Sequence, residues 1–362
     1  MELIWNAYAQ LMLFNNDNNL RSEETKMIVR LGLLGAALAL VATTTVASAA
    51  PTTLKLAYFG STRSPTWREV MSPWADDVAR DSKGTIKIDK FPGGTLGRNP
   101  RVQVKLVMDG VTDLGFFVPS YTPGRFPDTQ IMELPGIVNH SLESSIAIWR
   151  LYNQGLLRGF DKFKVLMLVT TDPYTIHTKK PVKRIADLKG LKLRAGGPVA
   201  GATMKALGAI PVGMPIPAVA QNISKGILDG SAVDWNVLYA FRIVDVARHH
   251  YMGLVGTVPI GILMNKAKWN ALPAAAKASF NKHSGEALAR RHGISNAGVQ
   301  KRLGAKTRKD PKHSVIEPSP AAKKQWASIM KPVVSQWAKK HPNGEKLLQT
   351  LRNELANIRA GK

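Results

Sequence analysis

Apolar and polar positions alternate along the N-terminal half of the chain in the pattern of short strands separated by helices. Residues 53–59, 85–94 and 112–118 carry the alternating or apolar runs that are typical of β-strands. Residues 64–84 and 99–110 lie between them and have the spacing of amphipathic helices. Because strands and helices alternate at the spacing of βαβ units, the pattern predicts a parallel sheet covered by helices.

The same alternation returns in the C-terminal half. The predicted elements there are strands 163–171, 191–195 and 258–265, helices 200–209 and 215–230, and long C-terminal helices over 273–303 and 320–340. With 362 residues, 44% of them hydrophobic, the chain can bury the core of two lobes. No flexible linker separates the elements, so we expect ordered crossings of the chain between the lobes, as in hinge proteins.

Residues 27–49 have the parts of a secretory signal peptide: a positive start, an apolar run and the small-residue sequence "ASA" before Ala50. The apolar run is too short and too rich in alanine for a good membrane span. We therefore expect it to be cleaved, with an uncleaved anchor as the alternative, and the mature protein to lie in the periplasm. Residues 1–26 are polar and acidic where a basic segment belongs, so translation is predicted to begin at Met27, with 1–26 a mis-annotated extension.

The chain carries a net charge of +25, which becomes about +26 without residues 1–49. Such a charge favours acidic partners: nucleic acid, an anionic membrane surface or small anions. The basic residues are scattered rather than gathered into one stripe, and an exported protein rarely meets nucleic acid, so no nucleic-acid partner is expected. The absence of cysteine from the sequence excludes disulfides and thiolate chemistry.

The sequence lacks the common catalytic motifs. It contains no G-x-S-x-G, no H-E-x-x-H and no Walker lysine, and "GGPVAG" does not have the spacing of a dinucleotide loop. Asp245 and His249 stand four residues apart, but two ligands alone do not make a metal site. We therefore expect no catalytic residue, no metal and no cofactor.

Arg194 ends the alternating run "LKLR" and precedes two glycines and Pro198. The glycines leave the backbone open to close approach, and proline suits the first turn of a helix. In open α/β sheets, ligands bind beyond the carboxyl ends of strands, where a guanidinium can hold a carboxylate with two hydrogen bonds. The pattern thus leaves two readings open for Arg194, an anion anchor or an ordinary surface charge beside Lys192.

Three stretches carry a resemblance to a known family. "DLKGLKLRAGGPVAGATMKALGAIPVGMPIPAVAQNISKGILDG" resembles the central signature of the solute-binding proteins of tripartite ATP-independent periplasmic (TRAP) transporters, the DctP-type family. "DSKGTIKIDKFPGGTLG" and "MDGVTDLGFFVPSYTPGRFPDTQIMELPGI" resemble two further motifs of that family. Because several spaced motifs occur in the right order, the resemblance is specific and extends over nearly the whole mature chain.

The resemblance implies a two-lobed, type II-like periplasmic-binding-protein fold, in which each α/β lobe has a mixed, mostly parallel sheet flanked by helices. Lobe I is expected from residues 51–171 and 259–299, and lobe II from 172–258 and 300–362. Such a protein captures an organic acid by hinge closure and delivers it to a membrane permease driven by an ion gradient. It acts without a covalent step, and we expect a monomer. The family's carboxylate-binding arginine falls on Arg194.

Departures from the family pattern bear on the ligand. Sialic-acid-type members carry a second arginine upstream, at a position that falls near Tyr174, and a Q-E-N-P sequence where this chain has "SAVD". These departures argue against a sialic-acid-like ligand. Four aromatic residues predicted near the pocket indicate a flat apolar or aromatic body behind one carboxylate: Trp235, Phe117, Tyr174 and Tyr58. Asn236, next to Trp235, is also predicted to contact the ligand. A place in the core is the alternative for Trp235 and Phe117.

C4-dicarboxylates, 2-oxo or 2-hydroxy acids and aromatic monocarboxylates all remain candidate ligands, and the aromatic residues favour the last. Two alternatives from other classes also remain. One is a periplasmic enzyme on the same bilobal fold, which would need a paired base and nucleophile that the sequence does not reveal. The other is a ligand-sensing partner of a signalling protein.

Overall fold

The computed structural model describes residues 50–362. The expected extension, the signal peptide and the start at Met27 all lie outside the described residues. Within residues 50–362, no helix is both long enough and apolar enough to cross a membrane.

Eleven strands are described, and they form two sheets. The strands are β1 (Thr52–Ala57), β2 (Ile86–Phe91), β3 (Leu114–Phe117), β4 (Phe163–Thr170), β5 (Thr175–Thr178), β6 (Lys192–Ala195), β7 (Ile210–Gly213), β8 (Gly230–Val233), β9 (His249–Tyr251), β10 (Pro259–Asn265) and β11 (Ser314–Ile316). The first sheet has the order β2-β1-β3-β10-β4, and the second has the order β11-β9-β5-β8-β6-β7.

Helices cover both sheets. The α-helices are α1 (Ser72–Asp81), α2 (Gln103–Met108), α3 (Ser141–Asn153), α4 (Pro198–Ala206), α5 (Val219–Ser224), α6 (Trp235–Ala240), α7 (Lys266–Ala271), α8 (Ala274–His283), α9 (Glu286–Lys309), α10 (Pro320–Lys340) and α11 (Gly344–Arg359). A π-helical turn, Thr66–Met71, leads into α1, and a 3-10 helix, Pro127–Glu133, precedes α3.

Both sheets mix parallel and antiparallel pairs, which confirms the predicted fold class. In the first sheet, β1 runs parallel to β2 and β3, while β10 is antiparallel to β3 and β4. In the second, β6 is parallel to β7 and β8, while β5 is antiparallel to β8 and β9. Strands β5 and β10 each follow a crossing of the chain from one sheet to the other. Each therefore enters its sheet in the direction opposite to that of its neighbouring strands.

Two predicted helices are wrong in extent, and glycine explains both differences. Helix 215–230 is much shorter as α5, because Gly226 adopts φ +76° and ends it, leaving Gly230 to begin β8. Helix 273–303 is divided at Gly285, which has φ +73° and lies against the Trp149 ring. A residue with positive φ cannot continue a right-handed helix, so the chain turns at each point.

Residues 171–174 and 252–258 carry the chain between the two sheets and run side by side. The Thr171 N–H donates to the Val258 carbonyl at 3.0 Å, and the Tyr174 N–H donates to the Gly256 carbonyl at 3.0 Å. The Val255 N–H returns a bond to the Tyr174 carbonyl at 2.8 Å. The crossings are therefore an ordered, hydrogen-bonded pair, which we name the crossing pair.

The C-terminal helices pack across this division. Helix α9 contacts α3 beside the first sheet and α6 beside the second, and α10 contacts α4. Helix α11 packs on α3, next to the first sheet. The division of the chain into lobes at residue 300 stays a prediction, and the packing of α11 favours placing that last helix with the first sheet.

Candidate functional site

A closed cavity lies between the two sheets, against the crossing pair. Its free space for the centres of water-sized groups is about 60 Å³, which is enough for several such groups. Both sheets and the crossing pair contribute to its walls. The lining residues are Tyr58, Phe59, Ser64, Thr66, Phe116, Val118, Ser120, Tyr121, Thr171, Tyr174, Arg194, Gly196, Ile216, Asp234, Asn236, Val237, Ala240, Phe241, Val258, Ile260, His292 and Asn296.

Arg194 lies near the end of β6, and its side chain turns into the cavity with only 4% of the residue exposed. Its Nε donates to the Met214 carbonyl at 2.9 Å, and its Nη2 donates to the Tyr121 hydroxyl at 2.8 Å. A Cβ on Gly196 would lie 2.9 Å from Nη2, so a glycine leaves room for the guanidinium. These contacts hold the guanidinium in one orientation.

No carboxylate of residues 50–362 forms an ion pair with Arg194, although most buried charges in proteins are paired. Two buried carboxylates follow that rule: Asp128 pairs with Arg158 at 2.7 Å, and Glu143 pairs with Arg359 at 2.8 Å. The Nη1 group of Arg194 likewise donates to no described atom. A buried, oriented and unneutralised cation of this kind is suited to binding an anion.

Tyr121 connects the two halves of the cavity, and the sequence analysis missed it. Its ring lies on the segment after β3, while its hydroxyl accepts bonds from Arg194 Nη2 and, at 3.0 Å, from the Ile216 N–H beside the second sheet. Two accepted bonds occupy both lone pairs of the oxygen, so the hydroxyl proton is left to donate elsewhere. Tyr121 thus supports Arg194 and offers a further donor.

Aromatic rings from the first sheet form the apolar wall. Tyr58 stacks on Trp67 with ring centroids 5.3 Å apart and meets Phe116 edge to face at 4.9 Å. Phe59 lies 5.4 Å from Phe116. The Tyr58 hydroxyl donates to Ser64 Oγ at 3.0 Å, and burial raises the pKa of Tyr58 to about 12, so the phenol stays neutral. The wall suits a flat apolar body.

The structure brings together four of the six residues predicted for the site: Arg194, Tyr174, Tyr58 and Asn236. Tyr174 comes from the crossing pair, and burial raises its pKa above the usual range, so its hydroxyl is also neutral. Asn236 Nδ2 donates to Thr66 Oγ1 at 3.2 Å and to Asn296 Oδ1 at 3.0 Å. That these four bind a ligand stays a prediction.

Phe117 and Trp235 do not line the cavity, and these two placements are corrected. Because side chains alternate along β3, Phe116 faces the cavity while Phe117 packs against Phe126 at 5.2 Å, on the opposite face. Trp235 faces away from the cavity, where its ring meets His177 and His250 edge to face. Both residues belong to the core.

The cavity also contains a buried polar end. Asp234 accepts from the Val237 N–H at 2.7 Å, as the cap of α6, and from the Asp172 N–H at 3.2 Å. Burial raises the pKa of Asp234 to about 7. His292 Nε2 donates to the Thr170 carbonyl at 3.0 Å, and burial lowers its pKa to about 4, so the ring is neutral at pH 7.

Among residues 50–362 no group of three or more histidine, aspartate or glutamate side chains is arranged to hold a metal ion. The cavity offers one cation, Arg194, a buried carboxyl, Asp234, several hydroxyl and amide groups, and an aromatic wall. Two sheets joined by a crossing pair, with a single oriented cation between them, define a two-lobed receptor for a small anion.

Comparison with known proteins agrees with this class. The family model of the bacterial extracellular solute-binding proteins, family 7 (DctP), matches residues 56–340. The match covers most of the chain, so the chain belongs to this family of solute-binding proteins.

Solved structures of similar proteins extend the comparison. A TRAP solute-binding protein from an unidentified marine microbe, described as specific for aromatic acids and bound to 3-hydroxybenzoate, is 30% identical, with TM-score 0.80, over 85% of this chain and 98% of that one. A TRAP solute-binding protein of Rhodoferax ferrireducens with copurified benzoate is also 30% identical, with TM-score 0.78, over 86% of this chain and 100% of that one.

Among relatives compared by sequence, a solute-binding protein of Verminephrobacter eiseniae is 30% identical over 57% of this chain, and the alignment spans 63% of that relative's length. The C4-dicarboxylate-binding periplasmic protein DctP of Rhodobacter capsulatus is 22% identical over 85% of this chain and 93% of its own. Relatives thus include proteins named for ligands of more than one class.

Proposed function

We propose that this chain is a periplasmic receptor for aromatic monocarboxylates, which it captures by closing its two lobes and delivers to a TRAP membrane permease. The observation that carries this proposal is the unpaired guanidinium of Arg194 at one side of an aromatic-lined, closed cavity. The receptor acts as a monomer, performs no covalent step and needs neither nucleic acid nor a cofactor. Removal of the signal peptide releases it into the periplasm.

The ligand carboxylate binds the free Nη edge of Arg194, and Tyr121 donates its hydroxyl proton to the same group. Charge-assisted bonds of this kind are about twice as strong as neutral ones. The ring of the ligand then lies against Tyr58, Phe59 and Phe116. The two solved relatives with bound or copurified benzoates support an aromatic body, at 30% identity.

Closure is central to the proposed mechanism. The Tyr121–Arg194 and Tyr121–Ile216 bonds join the first sheet's side of the cavity to the second, so they exist only when the lobes are closed. A bound carboxylate neutralises Arg194 and lowers the cost of burying it, which favours the closed form. The closed form is then the one that the permease recognises.

The test is a binding screen of residues 50–362 by calorimetry and thermal shift with benzoate, 3-hydroxybenzoate, phenylacetate and succinate. A benzoate or arylacetate at a thousandfold excess over Kd should stabilise the protein by about 4 kcal/mol. Arg194→Ala should weaken binding by about 30- to 5,000-fold, because a buried charge-assisted pair contributes about 2–5 kcal/mol.

Arg352→Ala provides the matched control, since Arg352 is exposed on α11 and is not among the residues that line the cavity. It should bind as the wild type does. Succinate binding far more tightly than any aromatic acid would overturn the proposed ligand class. Conversion of the bound acid, rather than its intact recovery, would favour an enzyme.

A further inference from the structure

A second, smaller cavity lies behind Arg194, on the side away from the aromatic wall. Its free space for the centres of water-sized groups is about 30 Å³, which is enough for about two of them. We name it the rear chamber. It shares five walls with the main cavity: Ser120, Tyr174, Arg194, Gly196 and Val258. The guanidinium therefore stands between the two spaces.

Glu133 is the one carboxyl side chain in the lining of the rear chamber. Only 4% of the residue is exposed, and its Oε1 has no hydrogen-bond partner among residues 50–362. Its backbone is held against the crossing pair, since a Cβ on Gly256 would lie 1.8 Å from the Glu133 carbonyl oxygen. The structure thus places a fixed, unpartnered carboxyl oxygen at a small closed space.

The carboxyl of Glu133 is neutral at pH 7. Burial raises its pKa to about 8, although a bond with Ser120 and the charge of Arg194 act in the opposite direction. The Tyr174 phenol nearby is also neutral, because burial raises its pKa. A neutral carboxylic acid has both a hydrogen-bond donor and an acceptor, so it suits a hydroxyl or carbonyl group rather than an ion.

We propose that Glu133 and Ser120 form a subsite for a hydroxyl or oxo group on the carbon next to the ligand's carboxylate. This inference rests on the proposed function, because the carboxylate on Arg194 determines which ligand atoms reach the rear chamber. Of a ligand whose ring lies in the main cavity, only the carboxylate and the substituents of the adjacent carbon are close to the guanidinium. The receptor then prefers 2-hydroxy- and 2-oxo-arylacetates to plain arylacetates.

Other substituents fit the chamber less well. An ammonium group would lie beside the Arg194 cation without a charged partner, because Glu133 is protonated. A methyl group would leave the buried Oε1 unpaired, and an unpaired buried polar atom costs binding energy. The hydroxyl and oxo groups satisfy Glu133 without adding charge.

The experiment compares four acids of nearly equal size by calorimetry at pH 7: phenylacetate, mandelate, phenylglyoxylate and phenylglycine. The wild type should bind mandelate or phenylglyoxylate at least about tenfold more tightly than phenylacetate, as sites that hydrogen-bond a substrate group reject analogues that lack it. Glu133→Leu should reduce this ratio to about one. Glu133→Gln, whose amide also donates and accepts, should restore most of the ratio, and Ser120→Ala should lower it less than Glu133→Leu.

The readout is the ratio of two affinities in one variant, so a general loss of affinity does not imitate the result. Cooperative thermal unfolding of each variant shows that it folds. An unchanged ratio in Glu133→Leu, or phenylglycine as the tightest ligand, overturns this inference alone. If none of the four acids binds the wild type, and benzoate does not bind either, the proposed function fails as well.

Discussion

The Arg194 site and the histidine cluster, formed by His177, His250 and His313, are both buried polar regions next to the second sheet, but they differ in how their polar atoms are satisfied. At the site, the buried guanidinium of Arg194 forms no ion pair with any carboxylate of residues 50–362. In the cluster, His177 Nδ1 lies 2.7 Å from His250 Nδ1, and His250 Nε2 lies 3.0 Å from His313 Nδ1. Both ring nitrogens of the two buried histidines, His177 and His250, therefore have a partner.

The chain of bonds through the cluster also has a consistent proton order. His177 Nε2 lies 3.0 Å from the Val233 carbonyl, so it must be the protonated nitrogen and Nδ1 the acceptor. His250 then donates through Nδ1 and accepts at Nε2 from His313. Trp235 packs edge to face on His177 and His250 and belongs to this region. Complete pairing indicates a structural role, whereas a polar group left unpaired at a cavity indicates a binding role.

The largest effect is expected from substituting Arg194, which should lower ligand affinity without lowering the stability of the ligand-free protein. Arg194→Met removes a buried charge and keeps most of the volume. Ligand affinity should fall about 100- to 1,000-fold, while the free energy of unfolding of the ligand-free protein stays within about 1 kcal/mol or rises. Calorimetry and urea unfolding measure the two quantities. A loss of about 3 kcal/mol of stability without ligand would contradict the idea that Arg194 is unneutralised.

The opposite result is expected in the histidine cluster. His250→Leu leaves His177 Nδ1 and His313 Nδ1 without a partner, and each unpaired buried group costs about 1–3 kcal/mol. The free energy of unfolding should fall by about 2–4 kcal/mol, with ligand affinity changed less than about twofold. If His250→Leu lowered ligand affinity as strongly as it lowered stability, the histidine cluster would be part of the binding site and this prediction would be wrong.

Acid pH should act through the same cluster. Burial lowers the pKa of His177 to about 4 and that of His250 to about 2, while the ordinary value is 6.5. The unfolded chain therefore takes up protons between pH 6.5 and 4 that the folded chain does not, so stability present above pH 6.5 is lost as the pH falls. At pH 5 the loss is about 2 kcal/mol for each ring. Equal midpoints of urea unfolding at pH 7.5 and 5 would exclude this mechanism.

Tyr121→Phe tests the bridge between the two sides of the cavity. The variant keeps the ring but loses the oxygen that accepts from Arg194 and from the Ile216 N–H. Affinity should fall about tenfold, mostly through faster ligand release, since two bonds that hold the closed form disappear. Stopped-flow fluorescence measures the rate. Tyr239→Phe is the control, because that hydroxyl bonds Thr307 outside the cavity lining.

The smallest effect is expected at alkaline pH. The raised pKa of Glu133, about 8 against an ordinary 4.5, means that the folded state keeps a proton which the unfolded chain releases between these values. Stability from this group is therefore lost progressively as the pH rises from 4.5 to about 8, and above 8 the new anion also competes with the ligand for Arg194. Affinity for phenylacetate should fall a few-fold from pH 7 to 9 in the wild type. In Glu133→Gln the same profile should be flat.

Several parts of the fold could be predicted from sequence because they depend on local pattern. The βαβ alternation before residue 120 predicts β1, β2 and β3 and their parallel pairing, since both the 2-residue and 3.6-residue periods are visible there. Strands β5, β7, β8, β9 and β11 were not predicted, because each has only three or four residues and depends on its neighbours for pairing.

Within the site, Arg194 could be singled out because it combines a strand end, two glycines and a family motif. Phe116 and Phe117 could not be told apart, since every residue of β3 is buried and no polar alternation marks the two faces. Tyr121 was missed because its partner Arg194 lies 73 residues away in the chain, and nothing near Tyr121 reveals that partner.

The sequence by itself thus determined the α/β class, the family and the position of the one cation on which binding is proposed to depend, because these follow from local periodicity and from motifs. Only the tertiary structure decided which face of β3 lines the cavity and that Trp235 packs on the histidine cluster. It also decided that Tyr121 and Glu133 lie on either side of Arg194. Those facts depend on how two sheets come together, and contacts between distant segments leave no periodic signal in either segment.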